Sequence, residues 1–212
     1  MKKATKLSIL GDSISTYIGI SNSYEACKET YTNACFYRPP FPVEKTYWHI
    51  VMDTLGLSLC VNNSYSGGNL SGRSDPTAGV NRAHHLSRDN GEAPDLIILF
   101  MGINDLGRGL DAEVFVADYR ETLSIIRKSH PDATLLCVNL PDRDPRLKER
   151  TIHFNSAIAA AVTEAGDGVM LADLFNSRLN NDFYYINTLD GLHPDEDGMR
   201  IIAEVIIEAL ES

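Results

Sequence analysis

A serine, a histidine, an aspartate and an asparagine, spread over most of the chain, have the types that nucleophilic chemistry at a carbonyl needs. Ser13 ends the run Leu7-Ser8-Ile9-Leu10-Gly11-Asp12-Ser13, an apolar strand pattern that stops in a Gly-Asp-Ser turn. A hydroxyl at such a strand end is presented to a crevice in α/β proteins. Standing alone, Asp-Ser after a strand reads as a turn or a helix cap. Its partners change that reading. In Asp190-Gly191-Leu192-His193-Pro194 the histidine follows a carboxylate closely enough for Asp190 to orient the imidazole. Gly102-Ile103-Asn104-Asp105 offers a neutral amide donor in Asn104. The stretch Ser64-Tyr65-Ser66-Gly67-Gly68-Asn69 holds glycines whose backbone N–H groups a ligand can approach closely. Hydroxyl, base, base-orienting carboxylate and hydrogen-bond donors are the parts of acyl transfer.

These residues act together only if the fold joins them. Unbroken apolar runs at about 6–10, 57–61, 95–101, 133–139 and 168–172 suit parallel strands covered on both faces. Helical patterns fall between them, at roughly 44–55, 77–88, 112–130 and 147–165, with a last one at 196–211. In 112–130 the stripe Val114, Ala117, Leu123 and Ile126 reads as buried, with Glu113, Arg120, Glu121 and Arg127 wet. Asp195, Glu196 and Asp197 suit the start of the last helix. Alternation of this kind predicts a three-layer α/β/α sandwich around a flavodoxin-like parallel sheet of order 2-1-3-4-5. The carboxyl ends of strands 1, 2 and 3 then lie side by side. Ser13, Gly67 and Asn104 meet there, and the loop before the last helix returns His193 to the same edge.

With 212 residues, 43% of them hydrophobic, the chain has enough apolar material for one sizeable core, so residues 1–212 read as a single domain. Twenty-nine acidic residues against 19 basic ones leave a net charge of −10, which repels nucleic acid and anionic lipid surfaces. No apolar run reaches the length of a membrane span. The apolar stretch after Lys2, Lys3 and Lys6 stops at Leu10, short of a signal peptide, so a cytoplasmic protein is expected. Cys27, Cys35, Cys60 and Cys137 match no zinc spacing and read as free thiols. His84 and His85 are adjacent, share no helix face and read as a solvated helix end rather than metal ligands. His130 ends a helix and suits its dipole. Tyr47 and Trp48 read as core. Gly102 and Gly107 lack the lysine of a phosphate loop, which disfavours a flavodoxin-type nucleotide site.

Gly11-Asp12-Ser13, the Gly67 loop, Gly102-x-Asn104-Asp105 and Asp190-x-x-His193 resemble the four blocks of the SGNH or GDSL hydrolases, in that family's order. Ile14 replaces the usual leucine of the first block, one aliphatic side chain for another. The resemblance implies the SGNH hydrolase fold and a GDSL-type serine esterase without metal or organic cofactor. It implies Ser13 as nucleophile, His193 as general base and Asp190 as its orienting partner. It also implies an oxyanion hole from the Ser13 and Gly67 amides and the Asn104 side chain. Asp190 as a mere cap, leaving a Ser-His dyad, stays open.

Asp12, Tyr17 and Gly68 are assigned to substrate contact, Asp12 and Asp105 also bracing their turns. The aromatic-rich segment 17–43 is expected to wall the pocket. The substrate expected is a small soluble ester, an acetylated carbohydrate first. A lysophospholipid or acyl thioester is the alternative, and a binding module without turnover is the reading from another class. Oligomeric state is not readable.

Overall fold

The computed structural model describes residues 4–17, 40–142, 144–180 and 187–212. Five parallel strands form one sheet in the order β2-β1-β3-β4-β5. They are β1 (Lys6–Gly11), β2 (Ser58–Ser64), β3 (Leu96–Phe100), β4 (Thr134–Val138) and β5 (Val169–Ala172). Leu7, Ile9, Leu10 and all of β3 are buried, as the unbroken apolar runs require of a sheet covered on both faces.

On one side α1 (Tyr47–Leu55) packs against α6 (Glu196–Glu211). On the other, α4 (Ala112–Ser129) packs against α5 (Lys148–Ala165), and the one-turn helix α2 (Gly79–Arg82) lies against α4. A sixth helix, α3 (Ile103–Gly107), follows β3 directly. Tyr47 and Trp48 are core residues, and Cys60 and Cys137 are buried free thiols. Cys27 and Cys35, with most of segment 17–43, lie outside the described residues.

Three expectations are corrected. The pattern at 77–88 yields only α2, because the chain beyond Arg82 is held by tertiary bonds instead of helical ones. Asn63 Nδ2 donates to the carbonyls of Arg82 and His85, at 3.2 and 2.9 Å, and Ser8 Oγ donates to Leu86 O at 2.7 Å. The buried stripe of α4 runs through Phe115, Tyr119, Leu123 and Ile126, while Val114 is 51% exposed and Ala117 is also exposed. The larger aromatic rings take the inner face, with Phe115 stacked on Phe154 at 4.3 Å between centroids. His130 does cap the end of α4, but it is buried, and burial lowers its imidazole below the ordinary value, which works against the charged form that the helix dipole favours.

Register decides what meets at the carboxyl edge. Gly11 pairs with Ser64 of β2 and with Phe100 of β3, so three strands end at one level. The residues that follow them, Asp12-Ser13, Tyr65–Gly68 and Met101–Asn104, therefore leave the sheet side by side, at the switch point between β1 and β3. Gly11 permits this closeness: a Cβ there would lie 2.5 Å from Ser15 Oγ and 2.7 Å from Ser64 Oγ.

Candidate active site

The turn after β1 is fixed from several directions. The Asp12 carbonyl accepts from the amides of Ser15 and Thr16, both at 3.1 Å. Thr16 Oγ1 donates to Ser13 O at 3.0 Å, Asn62 Nδ2 donates to Ser15 O at 2.9 Å, and Ser15 Oγ hydrogen-bonds to Tyr47 Oη at 2.7 Å. Ser13 is thus carried on a rigid turn over the β1 end, as the apolar run stopping at Gly-Asp-Ser suggests.

His193 arrives from the other end of the chain. Its loop is closed by an isolated antiparallel bridge between Thr188 and Pro194 and by the Leu189 amide donating to His193 O at 2.8 Å. α6 begins immediately after, with Asp195 Oδ1 accepting from the Gly198 amide at 2.9 Å as its cap. His193 Nε2 stands 3.0 Å from Ser13 Oγ, and its Nδ1 stands 2.7 Å from Asp190 Oδ2. Asp190 Oδ1 accepts from the amides of Leu192 and His193, at 3.0 and 2.8 Å. Burial acts to raise the Asp190 carboxyl. The His193 amide and ring and the Leu192 amide outweigh it, and the group stays below its ordinary value. An ionised Asp190 makes Nδ1 the protonated nitrogen and leaves Nε2 as an acceptor for the serine hydroxyl.

The third strand end supplies Asn104, in the first turn of α3. Its Nδ2 donates to Gly68 O at 3.0 Å and to Asp12 Oδ2 at 3.3 Å. Gly67 has φ +74°, a backbone that side-chain-bearing residues rarely adopt, at the turn that brings this loop beside Asn104. Behind the loop, buried Asp105 accepts from the amides of Leu70 and Ser71, at 2.7 and 2.9 Å, and from Ser71 Oγ. Asp118 extends this anchoring, taking the Gly72 amide at 3.1 Å and Arg73 Nε at 2.7 Å.

The remaining expected contact residues are placed less openly. Asp12 is buried, with Oδ1 on the Ile14 amide at 3.0 Å, so it braces Asn104 from beneath. Burial pushes its carboxyl up to about 7, against the Ile14 amide and the charge of Arg82. Gly68 contributes its carbonyl to Asn104. Tyr17 packs on the core and donates to Phe41 O at 3.1 Å. Among the described residues no cluster of histidine, cysteine and acidic side chains could hold a metal ion. None of their helices is long and apolar enough to cross a membrane.

Two residues were not singled out by the sequence. Arg82 is buried beneath the site, and Arg108 lies beside the Gly67 loop. Arg108 had a readable signal, since it follows Asn104 by four positions and so shares its side of a helical turn. Arg82 had none.

This architecture belongs with known proteins. The profile of the GDSL-like lipase/acylhydrolase family matches residues 9–201, and the chain is a member of that family. A search of curated proteins found no match. Among solved structures, a Bacteroides ovatus protein described as a GDSL-like lipase is similar at 22% identity with a TM-score of 0.71, over 98% of both chains. A family two carbohydrate esterase from Clostridium thermocellum, solved in complex with cellohexaose, is 17% identical with a TM-score of 0.71, over 98% of this chain and 63% of that one. The psychrotrophic esterase EstA from a Pseudoalteromonas species, inhibited by monoethylphosphonate, is 16% identical with a TM-score of 0.64, over 98% of this chain and 97% of that one. At these identities the likeness is one of fold, that of the GDSL hydrolases.

Proposed function

We propose that the protein is a serine ester hydrolase that cleaves small carboxylic esters through an acyl-serine. The observation that carries this reading is the continuous chain from Ser13 Oγ through both ring nitrogens of His193 to Asp190, at 3.0 and 2.7 Å. Ser13 Oγ attacks the ester carbonyl carbon while its proton passes to His193 Nε2. The oxyanion so formed is held by the amides of Ser13 and Gly67 and by the Asn104 side chain. The intermediate collapses, the C–O bond to the alcohol breaks, and His193 returns its proton to the leaving oxygen. Water then adds to the acyl-serine by the same route, releasing the carboxylic acid and restoring Ser13. Asp190 keeps the ring in one tautomer and stabilises the imidazolium.

An acetylated carbohydrate is the substrate class we favour, supported by the carbohydrate esterase among the structural neighbours. The test is a panel of acetylated sugars, short aryl esters, acyl thioesters and lysophospholipids, run with wild type and Ser13→Ala. A fluorophosphonate label completes it, a choice that follows the phosphonate inhibition of the esterase neighbour. Wild type is expected to be labelled once, at Ser13, and to release acetate from sugars fastest. A folded wild type that takes no label and hydrolyses none of the panel overturns the reading.

A further inference from the structure

Arg108 stands at the lip of the Gly67 loop. Its Nη2 lies 3.4 Å from the point that a Cβ on Gly67 would occupy, so the guanidinium packs directly on that glycine. Two anchors hold it there. The Arg108 amide donates to Asn104 O at 2.9 Å, and Nη1 donates to Asn69 Oδ1 at 2.7 Å. Both anchors belong to segments that build the site. The side chain is exposed, and among the described residues no carboxylate pairs with it. In this it differs from Arg73, Arg88, Arg120, Arg146, Arg178 and Arg200, each of which has an acidic partner. A chain with ten more acidic than basic residues, 29 against 19, has abundant carboxylates to neutralise a surface arginine. This one is left with Nη2 and Nε available beside the Gly67 loop.

We propose that Arg108 receives a carboxylate of the substrate, carried close to the scissile ester, and so sets a preference for anionic over neutral esters. This rests on the ester-hydrolase reading above. The guanidinium presents its donors in a planar fork that fits a carboxylate, and charge-assisted bonds of this kind are the strong ones. Pinning by Asn69 and by the end of α3 means that little side-chain freedom is lost when the anion docks.

The test uses two matched pairs. For the alcohol side these are 4-acetoxybenzoate and its neutral methyl ester. For the acyl side they are 4-nitrophenyl hemiadipate and 4-nitrophenyl methyl adipate. In at least one pair the anionic-to-neutral ratio of kcat/KM is expected to fall about tenfold or more in Arg108→Gln. Arg108→Lys should keep part of it, and added salt should compress the wild-type ratio. A ratio that moves less than about twofold in both pairs overturns the proposal, as does an equal loss on charged and neutral esters. Failure of the wild type to turn over any of the four would instead count against the hydrolase reading. The anion site is then read by NMR titration of Ser13→Ala protein with 4-acetoxybenzoate and hemiadipate. Affinity at least tenfold weaker for either anion in Ser13→Ala/Arg108→Gln supports it, and unchanged affinity for both overturns it.

Discussion

Arg82, wholly buried, donates through Nη2 to the Gly11 carbonyl at 3.0 Å, one residue before the turn that carries Ser13. The same guanidinium reaches Thr77 O through Nε at 2.7 Å, and through Nη1 both Asn63 O and Asn63 Oδ1, the latter at 3.2 Å. One side chain thus ties the ends of β1 and β2 to the chain entering α2. Arg82→Leu keeps the apolar bulk but removes every donor. A buried carbonyl left without a donor costs about 1–3 kcal/mol. Gly11 O keeps the Tyr65 amide at 3.2 Å, so the carbonyls of Thr77 and Asn63 carry the effect, with an expected loss of about 2 kcal/mol or more, read by urea denaturation. A variant within about 0.5 kcal/mol of wild type would show that the carbonyls find other donors.

Arg82 also marks where sequence reasoning stops. The strands were legible because continuous apolar runs such as Leu96-Ile97-Ile98-Leu99-Phe100 have one physical use in a covered parallel sheet. Level strand ends, which bring the residues after β1, β2 and β3 to one edge, followed from strand order, and the contact of His193 with Ser13 from the loop before the last helix. Arg82 binds carbonyls from three segments that no local pattern links, so nothing near position 82 announces its burial. The helix expected at 77–88 overran α2 for the same reason, since Asn63 and Ser8 claim the carbonyls that a longer helix would use. Helix α3 was missed because five residues are too few to show a helical period. On α4 the stripe was displaced because Val114 and Ala117 satisfy the period, while Phe115 and Tyr119 bury more area.

Asn104 Nδ2 donates to Gly68 O and to Asp12, the residue before Ser13, and its amide is the side-chain donor of the proposed oxyanion hole. Asn104→Ala removes that donor and leaves the Ser13–His193 contact in place. kcat on a short aryl ester is expected to fall about 10²–10³-fold, with KM changed far less. A loss confined to KM would assign Asn104 to ground-state binding and remove it from the oxyanion hole.

Asp12 gives a pH signature. Its carboxyl titrates near the ordinary 3.8 in the unfolded chain and near about 7 in the fold. Between those values the native state holds a proton that the unfolded state has released. Its contribution to stability is therefore full below about 3.8, shrinks as pH rises and is lost above about 7. Asp12→Asn lacks this titration. The stability of wild type relative to Asp12→Asn should fall, from pH 4 to pH 8, by on the order of 4 kcal/mol. Urea titrations of both proteins at several pH values measure this, and a difference that does not change with pH refutes it.

Asp190 separates a triad from a dyad. Its two oxygens do different things: Oδ1 holds the amides of Leu192 and His193, and Oδ2 holds the ring. Asp190→Asn can keep the turn through its remaining carbonyl oxygen while losing the charge that stabilises the imidazolium. If the carboxylate acts on the ring, kcat falls about 10³–10⁴-fold while the melting temperature stays near that of wild type. If Ser13 and His193 suffice alone, kcat falls by less than about tenfold. Asp190→Ala removes both interactions and should add a loss of stability from the freed turn amides, about 1–3 kcal/mol. Comparing the two variants therefore separates support of the loop from support of the imidazole. A small kcat effect in Asp190→Asn, with a large one in Asp190→Ala, would assign the residue to the loop.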